Sequence, residues 1–146
     1  MQDLPHHYVV AADAKAAGNV VLSSSGVDDL LSAAPAEFGG PGDQWSPESL
    51  LVAAVADCFI LSFRAISRAS RLEWNALTCE VEGTLDRVDR VTQFTQFSVV
   101  ARLDVPADTD VNKAERLLEK AEKACLITNS LKADSHLEAT VQISTT

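Results

Sequence analysis

The sequence predicts an α+β fold in which antiparallel sheets pack around a long buried central helix. Residues with alternating apolar side chains recur on both sides of a helical segment that is apolar almost all round. A second helical pattern, amphipathic this time, precedes a closing strand pattern. The order of strands, buried helix, strands, helix and strand is typical of this class.

The first part of the chain predicts three short strands, at residues 8–12, 20–24 and about 26–31. Glycine-containing pairs at 18–19 and 25–26 separate them. Residues 32–45 follow, a stretch rich in glycine and proline. A loop of that length in a compact domain is often functional, so it is a candidate wall of a binding site.

Ser46, Pro47 and Glu48 mark the start of the central helix. Serine caps a helix, proline suits the first helical position, and an acid there faces the positive end of the helix dipole. The helix is expected to end near residue 70. Because it is apolar on nearly every side, a sheet or a second subunit should cover it.

Two strands with strict alternation come next, at residues 77–85 and 97–105, with a turn over 87–92. Residues 110–124 carry an amphipathic helix, and residues 137–143 alternate as the closing strand. No repeat or linker interrupts the 146 residues. We therefore expect one domain spanning 1–146.

The net charge of −9 argues against nucleic acid and anionic membranes as partners. The charge is also uneven, since Lys15 is the only basic residue before Arg64. The longest apolar run, residues 50–63, is too short to span a bilayer and contains Asp57. The N-terminal residues have no signal-peptide pattern, so a reducing cytoplasm is the expected location.

Three cysteines are an odd number, and none belongs to a CxxC pair, which disfavours a disulfide scaffold or a zinc knuckle. The three histidines are too scattered to predict a metal site. Cys79 alternates with apolar strand residues and is interpreted as a core residue. Cys58, in the central helix, and Cys125, at the end of the second helix, are either small core residues or reactive thiols.

Two segments carry a specific resemblance. Residues 45–51 (WSPESLL) and 53–59 (AAVADCF) resemble the central helix of the OsmC/Ohr family of cysteine peroxidases, where N/S-P-E-x-L leads to A-x-C-F. Residues 125–131 (CLITNSL) resemble the family's C-P-x-S-N-S-L. The two cysteines are 125 − 58 = 67 positions apart, which suits the family, and the element order matches over nearly the whole chain.

The resemblance implies a homodimeric thiol peroxidase that protects against oxidative stress. Cys58 would attack an organic hydroperoxide, Cys125 would resolve the sulfenic acid as a disulfide, and an external dithiol would reduce it. No bound cofactor or metal is implied. In the family an arginine from the N-terminal region activates the thiol, and the glutamate that Glu48 matches orients that arginine.

The spacing of Glu48 and Cys58 along the central helix limits how the two residues can act together. Glu48 and Cys58 are ten positions apart, or ~15 Å along one helix axis. If both act on one peroxide, two copies of the helix must lie antiparallel, which predicts an intertwined homodimer. Alternatively, Glu48 only complements the helix dipole.

The sequence departs from the family pattern at two positions. Lys15 is the only basic residue near the place of the family's arginine, and a lysine is a point charge rather than a bidentate fork. Leu126 stands where the family usually has proline, and leucine allows the second helix to continue past Cys125.

Two other functions stay open. The chain could be a homodimer of this family that lacks efficient peroxidase activity and binds a small apolar ligand at the dimer interface. It could also be a stress-related structural or interaction protein whose cysteines are core residues.

Overall fold

The computed structural model describes residues 1–144. The chain forms two compact units, Met1–Leu50 and Leu51–Thr146. Each contains a three-stranded sheet, and helices complete the α+β architecture that the sequence predicts. The expectation of one domain over 1–146 stays a prediction.

The sheet of the first unit has the order β1–β2–β3, with antiparallel pairs throughout. The three strands are short and are Ala11–Asp13, Val20–Ser23 and Leu30–Ser32. The loop that follows contains a single 3-10 turn, Ala36–Phe38, and is closed at its base where the N–H of Ala33 donates to the carbonyl of Trp45 at 2.8 Å.

Helix α1 spans Pro47–Ala69, close to its predicted bounds. The Ser46 hydroxyl accepts from the N–H of Ser49 at 3.1 Å, as expected of a helix cap. Four residues spaced four apart form its buried stripe: Val55, Phe59, Phe63 and Ser67. Within the chain, therefore, one face of this apolar helix is buried, and Leu61 on another face is half exposed.

Helix α1 is longer than the apolar run of residues 50–63, which the sequence predicts to be too short to span a bilayer. Its 23 residues are long and apolar enough to cross a bilayer by length and composition, although the apolar run recognised in the sequence is shorter. The core helix of a globular protein passes the same test, so this property is weak evidence for a membrane span.

In the second unit, β4 (Ala76–Val88) and β5 (Val91–Val105) form a long antiparallel hairpin. Both strands extend beyond the predicted bounds, so the turn is only Asp89-Arg90, with φ of 50° and 68°. Positive φ at both central residues is typical of the tight turn that matches the twist of a hairpin.

The third strand of this sheet corrects the expectation of an antiparallel sheet. Strand β6 (Asp134–Ile143) pairs with β5 in parallel, with Val99 opposite Leu137. The reason is the connection, because the chain leaves β5, runs through α2 (Val111–Ala124) and α3 (Leu126–Asn129), and returns in the same direction. A helical crossover joins parallel strands.

The core of the second unit lies between its sheet, the buried stripe of α1 and one face of α2. Strand β5 supplies alternate positions, all at most 2% exposed: Phe97, Val99, Ala101, Leu103 and Val105. This is the alternation that the sequence predicts for that strand. Packing of these β5 residues against the buried stripe of α1 holds that helix, and with it Cys58, against the sheet.

Candidate active site

Cys58 lies in the middle of α1 and is half-buried. Its neighbour Phe59 belongs to the buried stripe, so Cys58 lies at the edge of that stripe and keeps some access to solvent. Ser62 is one helical turn further along, and its Oγ is 3.8 Å from the Cys58 Sγ. A helix places residues four apart on the same face, which explains this contact.

Cys125 lies at the junction of α2 and α3 and is 2% exposed. Its backbone is extended, with φ −62° and ψ 108°, so the helix breaks here. The expectation that Leu126 lets the helix continue past Cys125 is wrong. The carbonyl of Cys125 accepts from the Thr128 hydroxyl at 3.1 Å and from the Asn129 N–H at 3.0 Å, which stabilises the break and starts the short α3.

The structure brings the two cysteines together. Burial is the largest single influence on the Cys58 thiol and raises its pKa, but hydrogen bonds to the sulfur outweigh it. The donors are the N–H of Ile127, the thiol of Cys125, the hydroxyl of Ser62 and the N–H of Leu126. Together they hold the pKa of Cys58 below the ordinary thiol value.

The pKa of Cys125 is shifted in the opposite direction. Burial raises it, and the Cys58 sulfur raises it further, while donors from Thr128 oppose both effects. The two shifts lie in opposite directions, so Cys58 is the more readily ionised thiol of the pair. Since a thiolate is the nucleophilic form of cysteine, the lowered pKa makes Cys58 the more nucleophilic thiol of the two.

Cys79 does not belong to this pair. It packs against the core of the second unit, and its Sγ is 3.8 Å from the carbonyl oxygen of Ala56. Burial raises its pKa. These observations agree with the interpretation of Cys79 as a core residue, and they make it a suitable internal control for the other two thiols.

Glu48 lies in the first turn of α1, in the first unit. Its Oε1 is buried and has no hydrogen-bond partner within residues 1–144. The side chain lines a cavity of about 430 Å³ whose other walls are largely apolar and include Leu22, Phe38 and Leu50. A carboxylate oxygen in such a place needs a donor.

Lys15 follows β1 in the first unit, and its side chain is exposed. The donors that lower the pKa of Cys58 all belong to the second unit. A role for Lys15 near Cys58 therefore stays a prediction, as does that of Glu48.

Sequence reasoning missed three groups of this site. Ser62 could have been found, because it lies four positions after Cys58 on one helix. The N–H groups of Leu126 and Ile127 carry no sequence signal, since every residue other than proline has one. Within residues 1–144, no three His, Cys, Asp or Glu side chains lie close enough together to hold a metal ion.

The sequence of this chain is similar to those of known proteins. The sequence model of a family described as OsmC-like protein matches residues 40–140, which include both cysteines of the site. A protein of Bacillus subtilis (strain 168) that bears the name Uncharacterized protein YmaD is 31% identical, over 94% of this chain and 96% of its own.

Solved structures share the fold. An OsmC-like protein of unknown function from Vibrio cholerae superimposes with a TM-score of 0.86 at 18% identity, over 93% of this chain and 100% of its own. An organic hydroperoxide resistance protein OsmC from Legionella pneumophila gives 0.74 at 23% identity, over 96% and 99%. The organic hydroperoxide resistance protein OhrB of Bacillus subtilis gives 0.67 at 20% identity, over 94% and 98%.

Proposed function

Because the chain belongs to the OsmC-like protein family, we propose that it is a thiol-dependent peroxidase that reduces organic hydroperoxides and protects against oxidative stress. The observation that carries the proposal is the Cys58–Cys125 pair, in which one thiol has a lowered pKa and hydrogen-bonds to the other. The names of two structural neighbours, both organic hydroperoxide resistance proteins, support the choice of substrate.

In the first step, the Cys58 thiolate attacks the terminal oxygen of the hydroperoxide. An S–O bond forms, the O–O bond breaks, and the alkoxide that leaves takes a proton to become the alcohol. The sulfur is oxidised by two electrons and the peroxide is reduced by two. The partial exposure of Cys58 gives a substrate access to this sulfur.

In the second step, Cys125 attacks the sulfur of the Cys58 sulfenic acid. An S–S bond forms, and hydroxide leaves with the proton from Cys125 as water. The hydrogen bond between the two cysteines supports this step, because it places the second thiol beside the first before oxidation. Burial, which keeps Cys125 protonated, favours the order in which Cys58 reacts first.

An external dithiol then reduces the disulfide by exchange, so the cycle needs no bound cofactor. A reducing compartment such as the cytoplasm would supply this dithiol. Membership in the OsmC-like family favours a soluble protein.

The proposal includes a homodimer in which α1 packs antiparallel to its copy. Glu48 and Cys58 are ten positions apart on α1, too far to act together within one straight helix. The half-exposed Leu61 leaves an apolar face of α1 for the second copy. In this assembly Glu48 of one chain would act at Cys58 of the other, where it would orient Lys15 as the cation in place of the family's arginine.

The test is consumption of cumene hydroperoxide with dithiothreitol as reductant. We expect turnover by the wild-type protein, slower turnover of hydrogen peroxide, and loss of activity in Cys58→Ser. Cys79→Ser is the matched control and should keep full activity, because Cys79 lies outside the pair. Turnover by Cys58→Ser equal to that of the wild type would overturn the proposal.

One observation favours a second function, the binding of a small apolar ligand. The cavity of about 430 Å³ beside Glu48 has the size and apolar lining of a small-molecule site. Binding of the apolar fluorescent probe ANS tests it. A protein that binds the probe and loses binding in Leu22→Arg, yet consumes no peroxide, would favour this function over the first.

A further inference from the structure

A cavity of about 420 Å³ lies where the last turns of α1 meet the connection to β4, and a volume of this size suits a small molecule. Two arginines, Arg64 and Arg68, line it together with the apolar side chains of Leu72 and Trp74. All of its lining residues belong to the second unit, and none of them belongs to the thiol pair or to the cavity of the first unit. The cavity is therefore a separate candidate site.

We propose that this cavity binds a small organic monocarboxylate. Arg64 and Arg68 hold the carboxylate of the ligand, and its apolar body packs against Trp74. The inference goes beyond the proposed function, because it involves no cysteine and no redox step. Arg64 is six positions after Cys58, or about 240° round the helix, so its side chain points in a different direction from the reactive sulfur.

The two arginines are available to a ligand. They are four positions apart on α1 and so share one face of the helix, and within residues 1–144 neither guanidinium forms an ion pair or a hydrogen bond. Acidic residues outnumber basic ones in this chain, 21 to 12, so a shortage of carboxylates is not the reason. The helix dipole accounts for Arg68 in the last turn, but Arg64 lies more than a turn before the end of α1, where that effect has fallen off. A planar guanidinium fork matches the geometry of a carboxylate.

The indole of Trp74 is a fixed apolar wall. Its Nε1 donates to the Oγ of Ser67 at 2.8 Å, and its ring meets that of Phe63 edge-on, with centroids 5.4 Å apart. Both partners are buried, while Trp74 itself keeps part of its surface accessible. A rigid aromatic surface loses little conformational freedom on binding, which favours a ligand with an apolar or aromatic body.

The charge of the lining favours a monoanion. Glu73 also lines the cavity, so two arginines and one glutamate leave a formal charge of one positive unit. The C-terminal end of α1, which lies here, adds the partial negative charge of the helix dipole. A monocarboxylate balances this charge, whereas a phosphate dianion exceeds it.

The test is a titration with 3-phenylpropionate, followed by tryptophan fluorescence. The chain has two tryptophans, so a Trp45→Phe background leaves Trp74 as the only reporter. We expect saturable binding, with a dissociation constant that rises about tenfold or more in Arg64→Gln and in Arg68→Gln, because each variant loses a charged hydrogen bond. Arg71→Gln is the matched control. It makes the same charge change at an exposed position outside the lining and should alter the constant by less than about twofold.

Two further ligands test the chemical class. The neutral isostere 3-phenylpropionamide should bind about tenfold or more weakly than the acid, and an equal concentration of inorganic phosphate should not displace the acid. The inference would be overturned by the absence of saturable binding up to about 10 mM, or by equal affinities of the wild type and Arg64→Gln. Equal binding of acid and amide, or displacement by phosphate, would also overturn it. The titration contains no peroxide, so its outcome is separate from that of the turnover assay.

Discussion

The Cys125 thiol donates a hydrogen bond to the sulfur of Cys58, although 67 positions separate the two residues in sequence. A break in regular structure makes this contact possible, since α2 ends at Ala124 and Cys125 is extended. The bond gives the two thiols different properties. It lowers the pKa of Cys58 and raises that of its partner, which fixes the order in which they would react.

Removal of the donor in Cys125→Ala should raise the pKa of Cys58. The thiolate loses one hydrogen bond, and the hydrogen bonds that remain no longer offset as much of the effect of burial. The measurement is the midpoint of Cys58 alkylation against pH, followed by peptide mass spectrometry. Cys79→Ala serves as control and should leave the midpoint in place, and an unchanged midpoint in Cys125→Ala would show that the hydrogen bond has no part in the shift.

The native protein should also show a fixed order of thiol reactivity with pH. The pKa of Cys58 is lowered, so its thiolate persists at a pH where burial keeps Cys79 protonated. The stabilising contribution of the ionised Cys58 is present above the pKa of the unfolded chain and is lost as pH falls through the folded pKa. In urea the difference between the thiols should vanish. Equal alkylation of Cys58 and Cys79 in the folded state would contradict this account.

Glu48→Gln should separate activity from stability. The Oε1 of Glu48 is buried without a partner within residues 1–144, and a neutral amide of the same shape is cheaper to bury than a carboxylate. We expect an unfolding free energy that is unchanged or higher by up to about 1 kcal/mol. Peroxide turnover should fall about tenfold or more if the carboxylate orients the reactants.

Urea unfolding and the dithiothreitol-coupled assay measure the two effects of this substitution. Glu37→Gln, at an exposed position of the 3-10 turn, is the matched control and should change neither. Full turnover by Glu48→Gln would remove Glu48 from the proposed site.

Leu61→Glu should convert the proposed dimer into a monomer. Leu61 is 50% exposed on α1, and two-fold symmetry would bring two of the new carboxylates into one apolar interface. Light scattering coupled to size exclusion should give about twice 15.6 kDa for the wild type and about 15.6 kDa for the variant. Val100→Glu is the control on the sheet, since Val100 is similarly exposed at 47%. A wild-type mass of one chain would refute the dimer.

Sequence patterns predicted the features of the fold that depend on residues close together in the chain. Ser46 and Pro47 gave the start of α1, and strict alternation gave the buried face of β5. The direction of β6 was missed, because it depends on a crossover between elements rather than on its own residues. The first predicted strand, residues 8–12, is displaced to Ala11–Asp13, since apolar β-formers such as Val9 are exposed and do not pair with a neighbouring strand.

The candidate site was predictable only where side chains carry the signal. Cys58 and Cys125 came from their motifs, and spacing on the helix could have added Ser62. The N–H groups of Leu126 and Ile127 could not be predicted, because their role follows from the extended backbone at Cys125. A backbone donor is visible only once the path of the chain is known.

Disulfide mapping after peroxide treatment decides whether Cys58 and Cys125 form one redox pair. The reduced protein is treated with one equivalent of cumene hydroperoxide, trapped with an alkylating agent, and digested for non-reducing mass spectrometry. We expect a Cys58–Cys125 disulfide, a free Cys79, and no disulfide in Cys58→Ser. Free thiols at both Cys58 and Cys125 after treatment with excess peroxide would contradict it.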